Sequence, residues 1–170
     1  MLREIMTDLV LVYVTKSGNT RLVAEAIAEG ARAMDLEARA INLCDASAGD
    51  IYDAASIAIG SPTYEQRLLL PIEKFLDRLD GGKCRGKIGI AFGSYGWSGE
   101  APLIIAKRMR EMGFDVLDPV MRVQYEPGEK ELLELHTAAM QLVEETQPRP
   151  DAPVDGAAPA VPPSPSQPQS

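Results

Sequence analysis

Residues 9–20 read LVLVYVTKSGNT. Six apolar residues, Leu9 to Val14, run directly into hydroxyls, a glycine and an amide. A short apolar run bounded by turn residues has the pattern of a strand covered on both faces. Beyond it, from Thr20 to about Met34, the residues Val23, Ile27, Gly30, Ala31 and Met34 recur at helical spacing. The stretch therefore reads as strand, polar loop, helix.

The alternation repeats downstream. EARAINL (37–43) and ASIAIG (55–60) read as the second and third strands. A helix opens near Pro71, a residue suited to a first turn, and turns Ile72, Phe75, Leu76 and Leu79 to one side. KIGIAF (87–92) is the fourth strand. The next helix has Pro102 near its start, carries Ile105, Met109 and Met112, and can be capped by Gly113. The fifth strand lies within FDVLDPVMRV (114–123), where Pro119 predicts an edge position or a bulge. A last helix over about 128–146 turns Leu132, Leu135, Ala139, Leu142 and Val143 inward. Strands alternating with helices fold into a parallel sheet with helices on both faces. Such sheets bind ligands at the carboxyl ends of their strands, where strand order reverses. The loops at those ends are the ones to read for function.

Three of them stand out. After the first strand come Thr15, Lys16, Ser17, Gly18, Asn19 and Thr20. A helix start offers free N–H groups and the positive end of the dipole, which suits a phosphate. Gly18 lets the backbone approach an anion, the hydroxyls and the Asn19 amide can add hydrogen bonds, and Lys16 can add a cation. The same residue types also serve as plain helix caps, so this loop alone leaves both readings open. After the third strand come Ser61, Pro62, Thr63 and Tyr64, and after the fourth come Gly93, Ser94, Tyr95, Gly96, Trp97, Ser98 and Gly99. Trp97 sits among Gly and Ser rather than on a helix face, which favours stacking on a ligand over plugging a core. A phosphate nest with aromatics and backbone amides opposite suits a flat aromatic ligand with a phosphate tail, the shape of FMN.

Other readings fall away. GGKCRGK (81–87) fits part of a phosphate-binding P-loop, but Ile88 stands where Ser or Thr is needed, and the stretch joins helix to strand in the wrong order. It reads as a solvated basic turn. No GxGxxG follows the first strand, which argues against a dinucleotide fold. The ends of strands one and three lack the acidic residues a phospho-acceptor receiver needs. Two isolated cysteines, Cys44 and Cys84, and one histidine, His136, make neither a disulfide framework nor a metal cluster.

The chain has 170 residues, enough for one domain of ordinary size, with 45% hydrophobic content and a formal charge of −8. That balance argues against nucleic acid and anionic membranes as partners and suits docking onto a basic protein face. There is no apolar run of about 18 residues, and the first eight residues hold three charges, so neither a transmembrane helix nor a signal peptide is expected. A cytoplasmic, reduced setting follows as an expectation. From residue 147 the chain turns rich in Pro, Ala and Ser. Residues 147–170 are expected to be a disordered tail, or a weak PxxP-type docking segment, after a domain spanning 1–146.

YVTKSGNT, GSPTYE and FGSYGWSGEA together resemble the three FMN-binding loops of flavodoxins, over roughly residues 7–146. The last two resemble in particular the flavodoxin domain of flavodiiron proteins, which are oxygen and nitric oxide reductases. The resemblance implies a flavodoxin-like doubly wound, five-stranded parallel sheet in the order 2-1-3-4-5. It implies that Thr15, Ser17, Gly18, Asn19 and Thr20 hold the FMN phosphate. Ser61, Pro62, Thr63 and Tyr64 would line one side of the ring, and Ser94, Tyr95, Gly96 and Trp97 the other, with Gly99 shaping the loop. Two departures matter. The diiron domain is absent from this sequence, so diiron chemistry is not expected of this chain alone. Glu65 stands where the family usually has Asn; its carboxylate either points to water or approaches the ring's rim, where it would disfavour the anionic reduced flavin. At an effective dielectric of about 20 and a distance of roughly 8 Å, that effect is worth about 2 kcal/mol at most.

The expected function is an FMN electron carrier between redox proteins such as rubredoxin, a diiron oxidase or a flavin reductase, working as a monomer or homodimer. The alternatives are an NAD(P)H-dependent quinone or flavin reductase on the same fold, and a scaffold that has lost its flavin. No catalytic acid, base or nucleophile is needed, because the cofactor carries the chemistry. His136, far in sequence from all three loops, is expected to be structural or solvent-facing.

Overall fold

The computed structural model describes residues 7–118 and 120–146, so the predicted tail at 147–170 lies outside the described residues. β1 (Leu9–Tyr13) is buried along its whole length, and α1 (Asn19–Ala33) follows it. Then come β2 (Ala38–Asn42), a 3-10 turn (Leu43–Asp45), α2 (Ala48–Tyr52), β3 (Ser56–Gly60), α3 (Leu70–Arg78), α4 (Gly81–Cys84) and β4 (Ile88–Tyr95). The chain continues through α5 (Glu100–Glu111), β5 (Asp115–Val116), β6 (Met121–Gln124) and α6 (Glu129–Thr146).

The sheet runs β2-β1-β3-β4-β5 with every pairing parallel, and β6 also pairs with β4. This is the expected five-strand order with one change. The single fifth strand read from the sequence is two short strands along the β4 edge. Val116 pairs with Gly89 and Met121 with Phe92, so five residue steps on this edge span three on β4. The edge position agrees with the expectation drawn from Pro119, which itself lies outside the described residues.

Alternate residues of β1 feed the two halves of the core. Leu9, Leu11 and Tyr13 join α1 and α6 on one face. Val10 and Val12 join Ile51, Ile72, Phe75, Leu76, Ile105 and Met109 on the other. The helix faces read from periodicity are largely the buried ones where described, although Met34, Met112 and Leu132 are only partly covered; the side chains of Leu142 and Val143 lie outside those described. His136 is half-buried at the groove between α1 and α6.

Two stretches differ from the sequence reading. Leu43, read as the end of the second strand, instead opens the 3-10 turn, and residues 44–52, given no element there, hold the rest of that turn and α2, whose start is a reciprocal cap between Ser47 and Asp50. GGKCRGK is less solvated than expected: it forms the single turn of α4, buries Cys84, and lets Lys87 Nζ donate to the Ala54 carbonyl at 2.6 Å.

Sequential elements place the chain's reversal between β1 and β3. β2 returns to one side of β1, while β3 and β4 extend from the other. The loops after β1, β3 and β4 therefore converge at one end of the sheet.

Candidate functional site

The loop after β1 turns at Gly18, where φ is 91° and ψ −8°. L-residues avoid this left-handed region, so glycine is needed for the backbone rather than for space. Nothing lies within 4 Å of where a Cβ would be. The Gly18 amide donates to Thr15 Oγ1 at 3.0 Å. Gly18 is the N-cap of α1 and no side chain caps the helix. Ser17 and Asn19 are therefore not helix caps, and the first-turn amides remain available to a ligand. Ser17 and Asn19 instead line a cleft of about 330 Å³.

The opposite walls come from the other two loops. Pro62, Thr63, Tyr64 and Glu65 line the cleft from the β3 side, and Ser94, Tyr95, Gly96 and Trp97 from the β4 side. The loops are tied to each other. The Thr63 amide donates to the Ser94 carbonyl at 3.0 Å. Thr63 Oγ1 accepts from the Ala101 amide at 2.9 Å, which gives α5 the cap its own Gly99 does not provide. Gly93 sits so close to the Ser61 carbonyl and the Pro102 ring that no side chain fits there.

Tyr64 and Arg67 exchange two backbone hydrogen bonds, of 3.2 and 2.9 Å. Between them, Glu65 has φ 49° and Gln66 φ 62°. This is a two-residue turn with positive φ at both corners, a form that favours Asn-Gly. A second space of about 410 Å³ adjoins the cleft beyond Thr63, Glu65 and Trp97, bounded also by Gln66 and Ser98. Trp97 is 93% exposed, so it is no core plug.

Six predicted residues stand off the cleft wall. Thr20 and Ser61 are fully buried. The Thr20 and Ser94 hydroxyls bond to each other at 2.8 Å, and Ser61 Oγ donates to the Pro62 carbonyl at 2.9 Å. Thr15 and Gly18 shape the first loop from behind. Lys16 Nζ lies over the Tyr64 ring, 4.4 Å from its centroid, and so bridges two loops. Gly99 is the N-cap of α5, close against the Tyr95 ring and Arg122.

One wall residue escaped the sequence reading. Tyr125, just after β6, lines the same cleft. The available signal is an aromatic residue followed by Glu-Pro-Gly at the end of the fifth-strand region, a fourth strand end. The two groups with displaced pKa values lie outside the cleft. Burial pushes the Tyr13 phenol up, with Glu25 adding to it, and burial likewise raises the Cys84 thiol.

The fold and this cleft define a doubly wound α/β protein with a candidate ligand site at the strand-order reversal. Known proteins narrow the class. A family model described as flavodoxin matches residues 11–136. A flavodoxin from the domain Archaea is 42% identical, with a TM-score of 0.78 over 81% of this chain and 97% of that one. The type A flavoprotein of Rhodobacter capsulatus is 36% identical over 133 residues, 74% of this chain but 30% of the relative. Rubredoxin oxygen:oxidoreductase from Desulfovibrio gigas superimposes with a TM-score of 0.74 at 26% identity, covering 82% of this chain and 36% of that one. The chain spans about a third of the length of the first of the curated relatives it matches. It belongs to the flavodoxin family. FMN is the cofactor of that family, and electron transfer is the role the family assigns.

Proposed function

We propose that the chain binds FMN in the cleft at the ends of β1, β3 and β4 and passes electrons between redox proteins. The observation that carries this reading is the convergence of three separated sequence loops on one cleft, with an uncapped helix start at one wall and aromatics at the others. The volume lies within the range of small-molecule and cofactor sites. The donors present suit the group. The α1 start, with Ser17 and Asn19, offers N–H and O–H donors to a phosphate. Tyr64, Tyr95 and Trp97 offer aromatic surface to a flat ring system.

Bound FMN supplies the redox chemistry, taking up and releasing electrons one or two at a time. The protein's part is binding and orientation. Thr63 fixes the β3 and β4 loops to each other and to α5, so the gap between them is set before the ligand arrives. Thr20 and Ser94 do the same for the α1 start and the β4 loop. Glu65 brings a carboxylate to the rim. Rubredoxin is the first partner to test, because one relative is itself a rubredoxin–oxygen oxidoreductase. No described helix is long and apolar enough to cross a membrane.

Two measurements test the reading. The full chain, stripped of flavin, should quench FMN fluorescence in a one-to-one titration. The loaded protein, mixed rapidly with NADH or NADPH alone, should keep its yellow colour and lose it only when a reductase or reduced redox protein is added. Failure to bind FMN sinks the proposal, and fast bleaching by the nicotinamide alone replaces the carrier with a reductase.

A further inference from the structure

Tyr125 belongs to none of the three loops the flavin reading rests on, yet it lines their cleft. Its backbone has φ 60°, in the left-handed region that favours glycine. Among the described residues only four non-glycine residues have positive φ. Glu65 and Tyr125 line the cleft, Gln66 lines the space adjoining it, and only Asp35, at the end of α1, is elsewhere. Backbone strain persists where the surroundings over-determine it, and it gathers at sites of function.

At Tyr125 the surroundings are visible. Its amide donates to the Tyr95 carbonyl at 2.6 Å, and Gln124 Nε2, one residue before, donates to the Gly96 carbonyl at 3.2 Å. Tyr95 ends β4 and Gly96 opens the loop after it. The ring covers Gly96, where an added Cβ would sit 3.5 Å from Tyr125 Cε1. The side chain is not a core plug, because the residue is 60% exposed. A strained aromatic, held by its own amide and by its neighbour's side chain and left open to the cleft, presents a face to something outside the protein.

We infer that the turn after β6 is a fourth wall of the site and that Tyr125 is a positioning residue for the isoalloxazine ring rather than for the phosphate. The inference rests on the FMN reading above. The end of the cleft matters: Tyr125 sits with Tyr95 and Gly96, whereas phosphate donors come from the α1 start.

The test uses the full chain stripped of flavin, titrated with FMN and with riboflavin, which lacks the phosphate. Wild type, Tyr125→Gly and Tyr125→Phe are compared, and the unfolding temperature of each flavin-free protein is recorded. Tyr125→Gly should weaken both flavins by the same factor, about tenfold, as expected for losing one aromatic contact. Its unfolding temperature should hold or rise, because glycine relaxes the turn. Tyr125→Phe should bind both flavins as wild type does. Equal binding by Tyr125→Gly and wild type overturns the inference, as does a loss confined to FMN. A loss accompanied by a fall in unfolding temperature also overturns it, since that marks a structural role. Wild type that binds neither flavin overturns the FMN reading itself, and is distinguished at the first titration.

Discussion

The loops after β1 and β3 both turn through positive φ beside the same cleft, but they do it with different residues. The first uses Gly18 at φ 91°, a conformation glycine adopts freely. The second uses Glu65 and Gln66 at φ 49° and 62°, where each L-residue costs roughly 1–2 kcal/mol. Asn-Gly would make the same two-residue turn with little strain. The first loop is thus at rest in the shape that exposes its helix amides. The second is held under strain by the paired Tyr64–Arg67 bonds and the ties from Thr63. On the FMN reading proposed above, this division would separate an anchor from a tuning element: a phosphate nest gains nothing from strain, whereas a glutamate at a rim position has a reason to stay if its carboxylate acts on the ligand.

The sharpest way to break the comparison is Gly18→Ala. The new methyl has open space around it, so any loss reports backbone conformation alone. Stability should fall by about 1–2 kcal/mol in urea unfolding. FMN affinity should fall about tenfold, the equivalent of 1.4 kcal/mol, as the first-turn amides move. An unchanged Gly18→Ala protein would mean that the first loop makes no conformational demand.

Glu65→Gly should move the other way and by less. Relief of the left-handed residue is offset by glycine's extra freedom in the unfolded chain, roughly 0.5–1 kcal/mol, leaving a net gain of about 0.5–1 kcal/mol. Glu65→Asn separates charge from shape, because Asn tolerates the same φ. It should raise the potential of the bound flavin by somewhat under ~100 mV, from a rim charge worth about 2 kcal/mol at most. Potentiometric titration decides: a stability gain with no change in potential leaves Glu65 as a turn residue only.

The same contrast explains what the sequence disclosed. Apolar runs such as Leu9–Tyr13 and helical spacing such as Ile72, Phe75, Leu76 and Leu79 are set by burial, and burial writes a periodic pattern. The alternation of strands and helices and three of the cleft's walls were readable on that basis, while the five-strand order was implied by the resemblance to flavodoxins. The two-part edge strand was not, since its break shows only as a mismatch of register against β4. Nor were the inward-facing hydroxyls of Thr20 and Ser61, because a Ser or Thr in a polar loop looks the same whether it meets a ligand or a neighbour. The strained turn at Glu65 and Gln66 carries no turn signature at all, since its residues are the wrong ones for its shape. Tyr125 is hidden for the same reason: nothing local to it asks for positive φ, which is imposed by Tyr95 and Gly96 on another strand's loop.

The smallest expected effect tests whether anchor and tuning loop are independent. Lys16 leaves the first loop and lies over the Tyr64 ring of the second. An exposed cation–π pair of this kind is worth about 0.5 kcal/mol. A double-mutant cycle with Lys16→Met and Tyr64→Leu should return a coupling of that size in urea unfolding. Lys16→Met should change FMN affinity by less than about threefold, because a cation held over Tyr64 is not free to pair with phosphate and the helix amides suffice. Zero coupling together with a tenfold loss of FMN affinity would reverse the assignment. Lys16 would then be part of the phosphate site, the two loops would be energetically separate, and strain in the second could not be felt through this contact by the first.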